Sequence, residues 1–297
     1  MTNRLKMRST PRESLKEALE NLASSQFSGS DEPSKKGGLS KNDEHVIRAD
    51  VHRSVSFWDI HKFVKTSHRI RRRKALNDAL HDILESKQEF KYYQGLHDVC
   101  LVVLELVGGN KGEAVRLLRP FLLLHFKAFL TSDFGVIIPL ALDCIKTIVK
   151  HHDPELDDEI ESCGVGYNFA IPWLLTWFSH NLDAFEDVCS VFDFVLRKKD
   201  IISIHHVCAA FLLEGRDIFL QELNSGLTTA LGKTTSSVLL GDALRRAEAV
   251  SSSSIYNYQL TVPSTDQKDR RAFLGNISLI LAFVACICAS YVALTLS

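Results

Sequence analysis

Two short strings in this 297-residue chain hold side chains suited to stabilising charge and placing a water molecule. The first is Ile47-Arg48-Ala49-Asp50-Val51-His52-Arg53. On a helix, Asp50 and Arg53 are neighbours at i, i+3, so the carboxylate can hold the guanidinium in one orientation. A planar, permanently charged guanidinium matches phosphate oxygens as a lysine ammonium does not. The same spacing also describes an ordinary exposed ion pair of little energetic worth. The second string is Tyr92-Tyr93-Gln94-Gly95-Leu96-His97-Asp98. A glutamine amide donates and accepts at once, which suits it to orient a water. Gly95 permits a tight backbone turn. Asp98 falls in the first turn of the apolar segment that follows, where a helix dipole favours an acid. By itself this string also reads as a structural loop. Gln94 stands 41 residues after Arg53.

Helices must position these residues. Thr10-Pro11-Arg12-Glu13 is a capping box with proline at the first helical position, and Leu15, Leu19 and Leu22 follow at helical spacing. Helical patterns dominate from Asp43 onward: 69–87, 96–107, 113–130, 133–151, 154–162, 168–181, 184–198 and 201–222. Pro120, Pro139 and Pro172 are expected to kink or shift their helices. Neither sustained period-two alternation nor an Asn-Gly or Asp-Gly turn occurs, so the expected class is all-α. Lys plus Arg is 35 against 36 Asp plus Glu, and this balance argues against nucleic acid as a partner. The seven cysteines form no CxxC and no zinc-type cluster with histidine, which fits buried thiols in a reducing compartment and no metal. The basic run Arg69, Arg71, Arg72, Arg73 and Lys74 reads as a solvated helix face, with acidic lipid headgroups or an acidic protein patch as the sharper alternatives.

Taken together and in order, the two strings resemble the TBC-domain family of Rab GTPase-activating proteins. That family carries an arginine finger in I-x-x-D-x-x-R and a glutamine finger in Y-x-Q-G. Pro172-Trp173-Leu174-Leu175-Thr176-Trp177-Phe178-Ser179-His180 looks like the family's core-helix string, and Phe192-Asp193-Phe194 like its later aromatic-Asp segment. The resemblance covers about residues 44–222. The Y-Y-Q-G-x-H-D form, the compact domain and the uncharged C-terminus look most like the endoplasmic-reticulum-anchored branch of family member twenty. The resemblance implies a multi-helix domain that speeds GTP hydrolysis by a Rab of early secretory, ER-to-Golgi traffic. Arg53 and Gln94 would act in trans, with Asp50 orienting Arg53 and with Tyr92 and Gly95 shaping the glutamine loop. Such a chain is an activator with no nucleotide site or cofactor of its own, since GTP and magnesium belong to the partner. No G-x-x-x-x-G-K-[ST], G-x-S-x-G or H-E-x-x-H string contradicts this. The family's upstream Trp-containing helix has no match before Ile47, so the finger helix is expected to lack one packing element. That lack motivates an alternative, a membrane-anchored scaffold that binds a Rab without catalysis.

The charge is unevenly spread. Residues 272–297 hold no Asp, Glu, Lys, Arg or His and include 20 apolar residues. As a helix they would reach roughly 36 Å from Phe273, enough for a hydrocarbon core of ~30 Å. Lys268, Arg270 and Arg271 precede this run and are expected to stay cytosolic. The expected organisation is an N-terminal helix and flexible linker (1–43), a TBC-type domain (44–222), a partly ordered linker (223–271) with one helical piece near Leu239 to Val250, and a transmembrane tail anchor (272–297). The domain would then face the cytosol from the endoplasmic reticulum membrane. Oligomeric state is open.

Overall fold

Side-chain caps set several helix starts. In the computed structural model, which describes residues 9–26, 38–54, 58–131, 133–164, 166–198, 200, 202–223, 234 and 236–252, the regular elements described are all helical. Thr10 and Glu13 form the expected reciprocal box. The Thr10 N–H donates to the Glu13 carboxylate at 2.9 Å and the Glu13 N–H to Thr10 Oγ1 at 3.3 Å, opening α1 (Pro11–Gln26). α2 (Lys41–Ser54) starts at Ser40, whose Oγ accepts from the Asp43 N–H at 3.0 Å. Asn110 caps α5 (Lys111–His125) through the Glu113 N–H, Asp133 caps α7 (Phe134–His152) through Gly135, and Asp153 caps α8 (Pro154–Ser162) through Leu156.

Two compact units divide the chain. The first comprises Met1–Ser132 and Leu175–Ser203. In it α5 (Lys111–His125) packs against α1, α3 (Thr66–Leu84) and α4 (Leu96–Leu106). α1 also packs on α10 (Phe185–Lys198). α2 packs on α3 and α4 through buried Ile47 and Val51. α2 is thus supported by α3 and α4, while α1 packs on α5 and α10. The Leu15 and Leu19 side chains of α1 are fully buried, and Ser14 Oγ donates to Asp193 on α10 at 2.9 Å. α1 is thus built into the unit rather than standing outside it beyond a linker.

The expected helices over 113–130 and 168–181 are broken. α5 ends at His125 and α6 (Lys127–Thr131) restarts after Phe126. A 3₁₀ turn over Gly166–Ala170 leads to α9 (Ile171–Thr176), which stops because Trp177 and Phe178 adopt left-handed φ of 49° and 63°. Each such residue costs about 1–2 kcal/mol. Ring packing offsets this: Trp177 lies 4.9 Å from Phe126, 5.3 Å from Phe121 and 5.2 Å from Phe192, centroid to centroid. The break points the Ser179 carbonyl at Trp58, whose Nε1–H donates to it at 2.9 Å.

The second unit comprises Asp133–Leu174 and Ile204–Ser297. In it α7 (Phe134–His152) packs on α8 (Pro154–Ser162) and on the 3₁₀ turn. Tyr167 donates to buried Asp157 at 3.0 Å. The expected helix over 201–222 splits at Gly215 into α11 (Ser203–Glu214) and α12 (Arg216–Leu223). Among the described residues its last helix is α13 (Leu240–Ser252), at the expected helical piece. α5 and α7 run on through Pro120 and Pro139, and Pro172 falls in the first turn of α9, where no helical bond is lost. Among the described residues no helix is long and apolar enough to cross a membrane. The expected anchor over 272–297 lies outside the described residues.

Candidate functional site

The first unit brings Asp50, Arg53 and Tyr92 into direct contact. Ile47 and Val51 turn one face of α2 inward, and the same face buries the Asp50 carboxylate to 2% exposure. One turn on, near the end of the helix, Arg53 pairs with Asp50 Oδ1 through a guanidinium nitrogen. The Arg53 side chain stays 52% exposed. A buried carboxylate needs more than one partner to offset its lost hydration. The second is the Tyr92 hydroxyl, which donates to Asp50 Oδ2 at 2.7 Å. Asp50 is thereby held from two sides and presents Arg53 at the surface.

The loop before α4 is pinned at nearly every residue. The Lys91 N–H donates to the Leu130 carbonyl at 2.8 Å. Tyr92 holds Asp50, and the Tyr93 hydroxyl donates to the Leu175 carbonyl at 3.1 Å. Gly95 takes a φ of +113°, and a Cβ there would stand 2.9 Å from Thr176 Cγ2. Glycine is needed twice over, for the backbone angle and for the close approach. Gln94 sits half-buried between these fixed points, two residues from Tyr92. The Asp50–Tyr92 bond therefore ties the arginine helix to the glutamine loop.

Behind Tyr92 lies a polar chain that sequence spacing did not single out. His97 Nδ1 is 3.0 Å from the Tyr92 oxygen, and its Nε2 is 3.2 Å from Asp98 Oδ1. Asp98 Oδ2 is 3.1 Å from His180 Nδ1. Burial lowers the His97 pKa against the opposing pull of Asp98 and Asp50, and a neutral ring carries one N–H, on Nδ1 toward the Tyr92 oxygen or on Nε2 toward Asp98. Burial pushes the Asp98 carboxyl up, but His97, the His180 hydrogen bond and Arg53 more than offset it, and its pKa is lowered. Burial, then the Asp50 carboxylate, raises the Tyr92 phenol above its ordinary value. Tyr92 thus stays protonated as the donor Asp50 requires. Asp98 was visible only as the end of its string, and His180 lies 82 residues further on, so no local signal joined them.

The arrangement holds a half-exposed guanidinium on α2 and a half-buried glutamine on the loop that Tyr92 ties to that helix. Among the described residues no His, Cys, Asp and Glu grouping could hold a metal ion. The chemistry open to a guanidinium and a carboxamide is to stabilise negative charge and to orient a water.

Comparison with known proteins agrees with this reading of the fold. The family model for the Rab-GTPase-TBC domain matches residues 5–220, which takes in α1. The chain is 27% identical over 187 residues to the GTPase-activating protein gyp10 of Schizosaccharomyces pombe, covering 62% of this chain and 48% of that protein. It is 30% identical over 150 residues to TBC1 domain family member 20 of Homo sapiens, covering 49% and 36%. The chain thus matches half or less of the length of these curated relatives. A solved structure, the Chlamydomonas flagellar RabGAP TBC domain, superposes with a TM-score of 0.50 at 14% identity over 79% of this chain and 71% of that one, which speaks to fold alone. With a match running from before α1 into α12 over a helical architecture of the same kind, the chain belongs to the Rab-GTPase-TBC domain family.

Proposed function

We propose that the chain is a GTPase-activating protein for a Rab GTPase of early secretory traffic, held at the endoplasmic reticulum membrane by residues 272–297. The observation that carries the reading is the hydrogen bond between Tyr92 and Asp50, which fixes the arginine helix and the glutamine loop to each other. Arg53 would enter the partner's nucleotide site and stabilise the charge that develops on the transferring phosphoryl group. An arginine supplied in trans is worth about 10³–10⁵ in rate. Gln94 would orient the attacking water. The partner supplies GTP and magnesium, and this chain supplies two side chains and the rigidity to aim them. The anchor would confine this domain to the surface where a membrane-bound Rab is concentrated.

The alternative of a non-catalytic scaffold predicts Rab binding that survives loss of both side chains with no change in hydrolysis rate. The test is GTP hydrolysis by a panel of purified Rabs with the full chain in detergent, beside Arg53→Ala and Gln94→Ala. One or more Rabs should be accelerated, and each substitution should remove most of the acceleration while leaving the helical circular dichroism intact. No acceleration of any Rab, or acceleration indifferent to both substitutions, would overturn the proposal. Imaging the tagged full chain with and without 272–297 tests the anchor, and a cytosolic signal for the full chain would refute it.

A further inference from the structure

Between Asp59 and Asp78 the chain carries seven Lys and Arg residues and no Asp or Glu, although its net charge is −1. The fold uses part of this charge internally. Arg69 donates to the His61 carbonyl at 2.8 Å. Arg72 reaches buried Glu105 at 3.1 Å and lies so close over Gly109 that a Cβ there would overlap its guanidinium. Lys62, Lys65, Arg71 and Lys74 are left exposed. Lys74 pairs with Asp78 at 3.0 Å, a surface contact of little worth. Among these cations stand Phe63, 98% exposed, and Ile70, 59% exposed. Phe63 lies in the short loop entering α3, and Ile70, Arg71 and Lys74 occupy the side of α3 opposite buried Leu76, Leu80 and Ile83. Helical side chains lean toward the N-terminus, so Ile70 and Arg71 lean toward the loop that holds Phe63.

We propose that Phe63 and Ile70, ringed by Lys62, Lys65, Arg71 and Lys74, form a docking face for an anionic membrane surface. A phenylalanine with almost no protein contact has its ring free to enter the boundary between headgroups and acyl chains. Lysine stems can lie along that boundary with their ammonium groups among acidic headgroups. The residue types favour lipid over a protein partner. Protein interfaces are enriched in arginine and depleted of lysine. Here Arg69 and Arg72 are engaged internally, and three of the four exposed cations are lysines. The face is independent of the finger residues and does not rest on the proposed GTPase activation.

The test is a Phe63→Trp variant of the full chain, reconstituted in vesicles whose acyl chains carry bromine, a contact quencher of indole. The native Trp58, Trp173 and Trp177 are at most 2% exposed and give a shielded background. Any insertion of the C-terminal run is common to all samples, so the signal reports this face alone. In phosphatidylcholine–phosphatidylserine vesicles the introduced indole should be quenched and its emission shifted to the blue. Both effects should fall several-fold in phosphatidylcholine alone, at high salt, or on adding Lys62→Glu with Lys65→Glu. Emission identical with and without bromine would overturn the proposal. So would quenching indifferent to phosphatidylserine and salt. If Phe63→Ala with Ile70→Ala instead weakens Rab stimulation in lipid-free detergent, the face belongs to the GTPase and the membrane proposal fails.

Discussion

Arg53 and Arg216, one in each compact unit, both meet carboxylates, and they do so in opposite ways. Arg216 sits among Asp153 at 2.7 Å, Glu155 at 3.0 Å and Asp217 at 3.3 Å. Asp153 also caps α8, so this arginine clips the start of α12 to the turn between α7 and α8. Its fork is taken up by acids of its own unit. Arg53 leans on Asp50, whose carboxylate is buried and held from behind by Tyr92, and the guanidinium stays half exposed. The lesson is that an ion pair can saturate an arginine or aim it. What separates the two is that Arg216 is shared among several carboxylates, whereas Arg53 stays half exposed beside a buried one.

Conservative substitution should separate them most sharply. Arg53→Lys keeps the charge and loses the planar fork, so stimulation of the partner GTPase should fall by about 10²-fold or more. Arg216→Lys should leave it within about twofold, since a surface cluster tolerates either cation. Single-turnover GTP hydrolysis reads both. Tyr92→Phe removes the bond behind Asp50 and nothing from the surface. The maximal stimulated rate should drop by roughly tenfold, with the concentration of chain needed for half-stimulation unchanged. An equal shift in both would mean that Tyr92 serves binding rather than aim.

Gly95→Ala probes the loop through stability. A left-handed alanine pressed against Thr176 should cost about 1–3 kcal/mol and lower the melting temperature, and Gln94 should lose its placement with it. A fully stable alanine variant would mean that the turn can relax. The smallest effect concerns the aromatic core. Burial lowers the His125 pKa from 6.5 to about 4. As pH falls below about 6.5 the unfolded chain takes up a proton that the folded chain refuses until about 4. Stability is therefore lost across that window, by about 1 kcal/mol at pH 5.5. His125→Phe should flatten that part of the pH–stability curve, as denaturant melts at several pH values would show.

Helix positions were legible where caps and apolar spacing agree: Thr10 marks a start that the fold uses, and the segments expected from 133 and 154 begin at the N-caps Asp133 and Asp153. Breaks were not legible where tertiary packing imposes them. Trp177 and Phe178 carry no local signal for left-handed backbone, and only the rings of Phe121, Phe126 and Phe192 make that geometry tolerable. At the site, the pairing of Asp50 with Arg53 followed from helical spacing, and the need for Gly95 from the turn. The extension through His97 and Asp98 to His180 could not be read, because it joins residues that only the folded chain brings together. The basic run read as a uniform solvated face. The structure divides it into Arg69 and Arg72, which work inside the unit, and Arg71 and Lys74, which face outward.

If the proposed role is right, the Arg53 fork meets charge that appears only as the phosphoryl group transfers. A transition-state mimic tests this most directly: the affinity of the full chain for a responsive Rab loaded with GDP, with and without aluminium fluoride. Transition-state analogues bind about 10²–10⁸-fold tighter than ground-state ligands where catalysis is at work. The complex should tighten strongly with fluoride for the parent chain, lose that gain in Arg53→Ala, and keep it in Arg216→Ala. A fluoride-dependent gain that survives Arg53→Ala would contradict the proposed role.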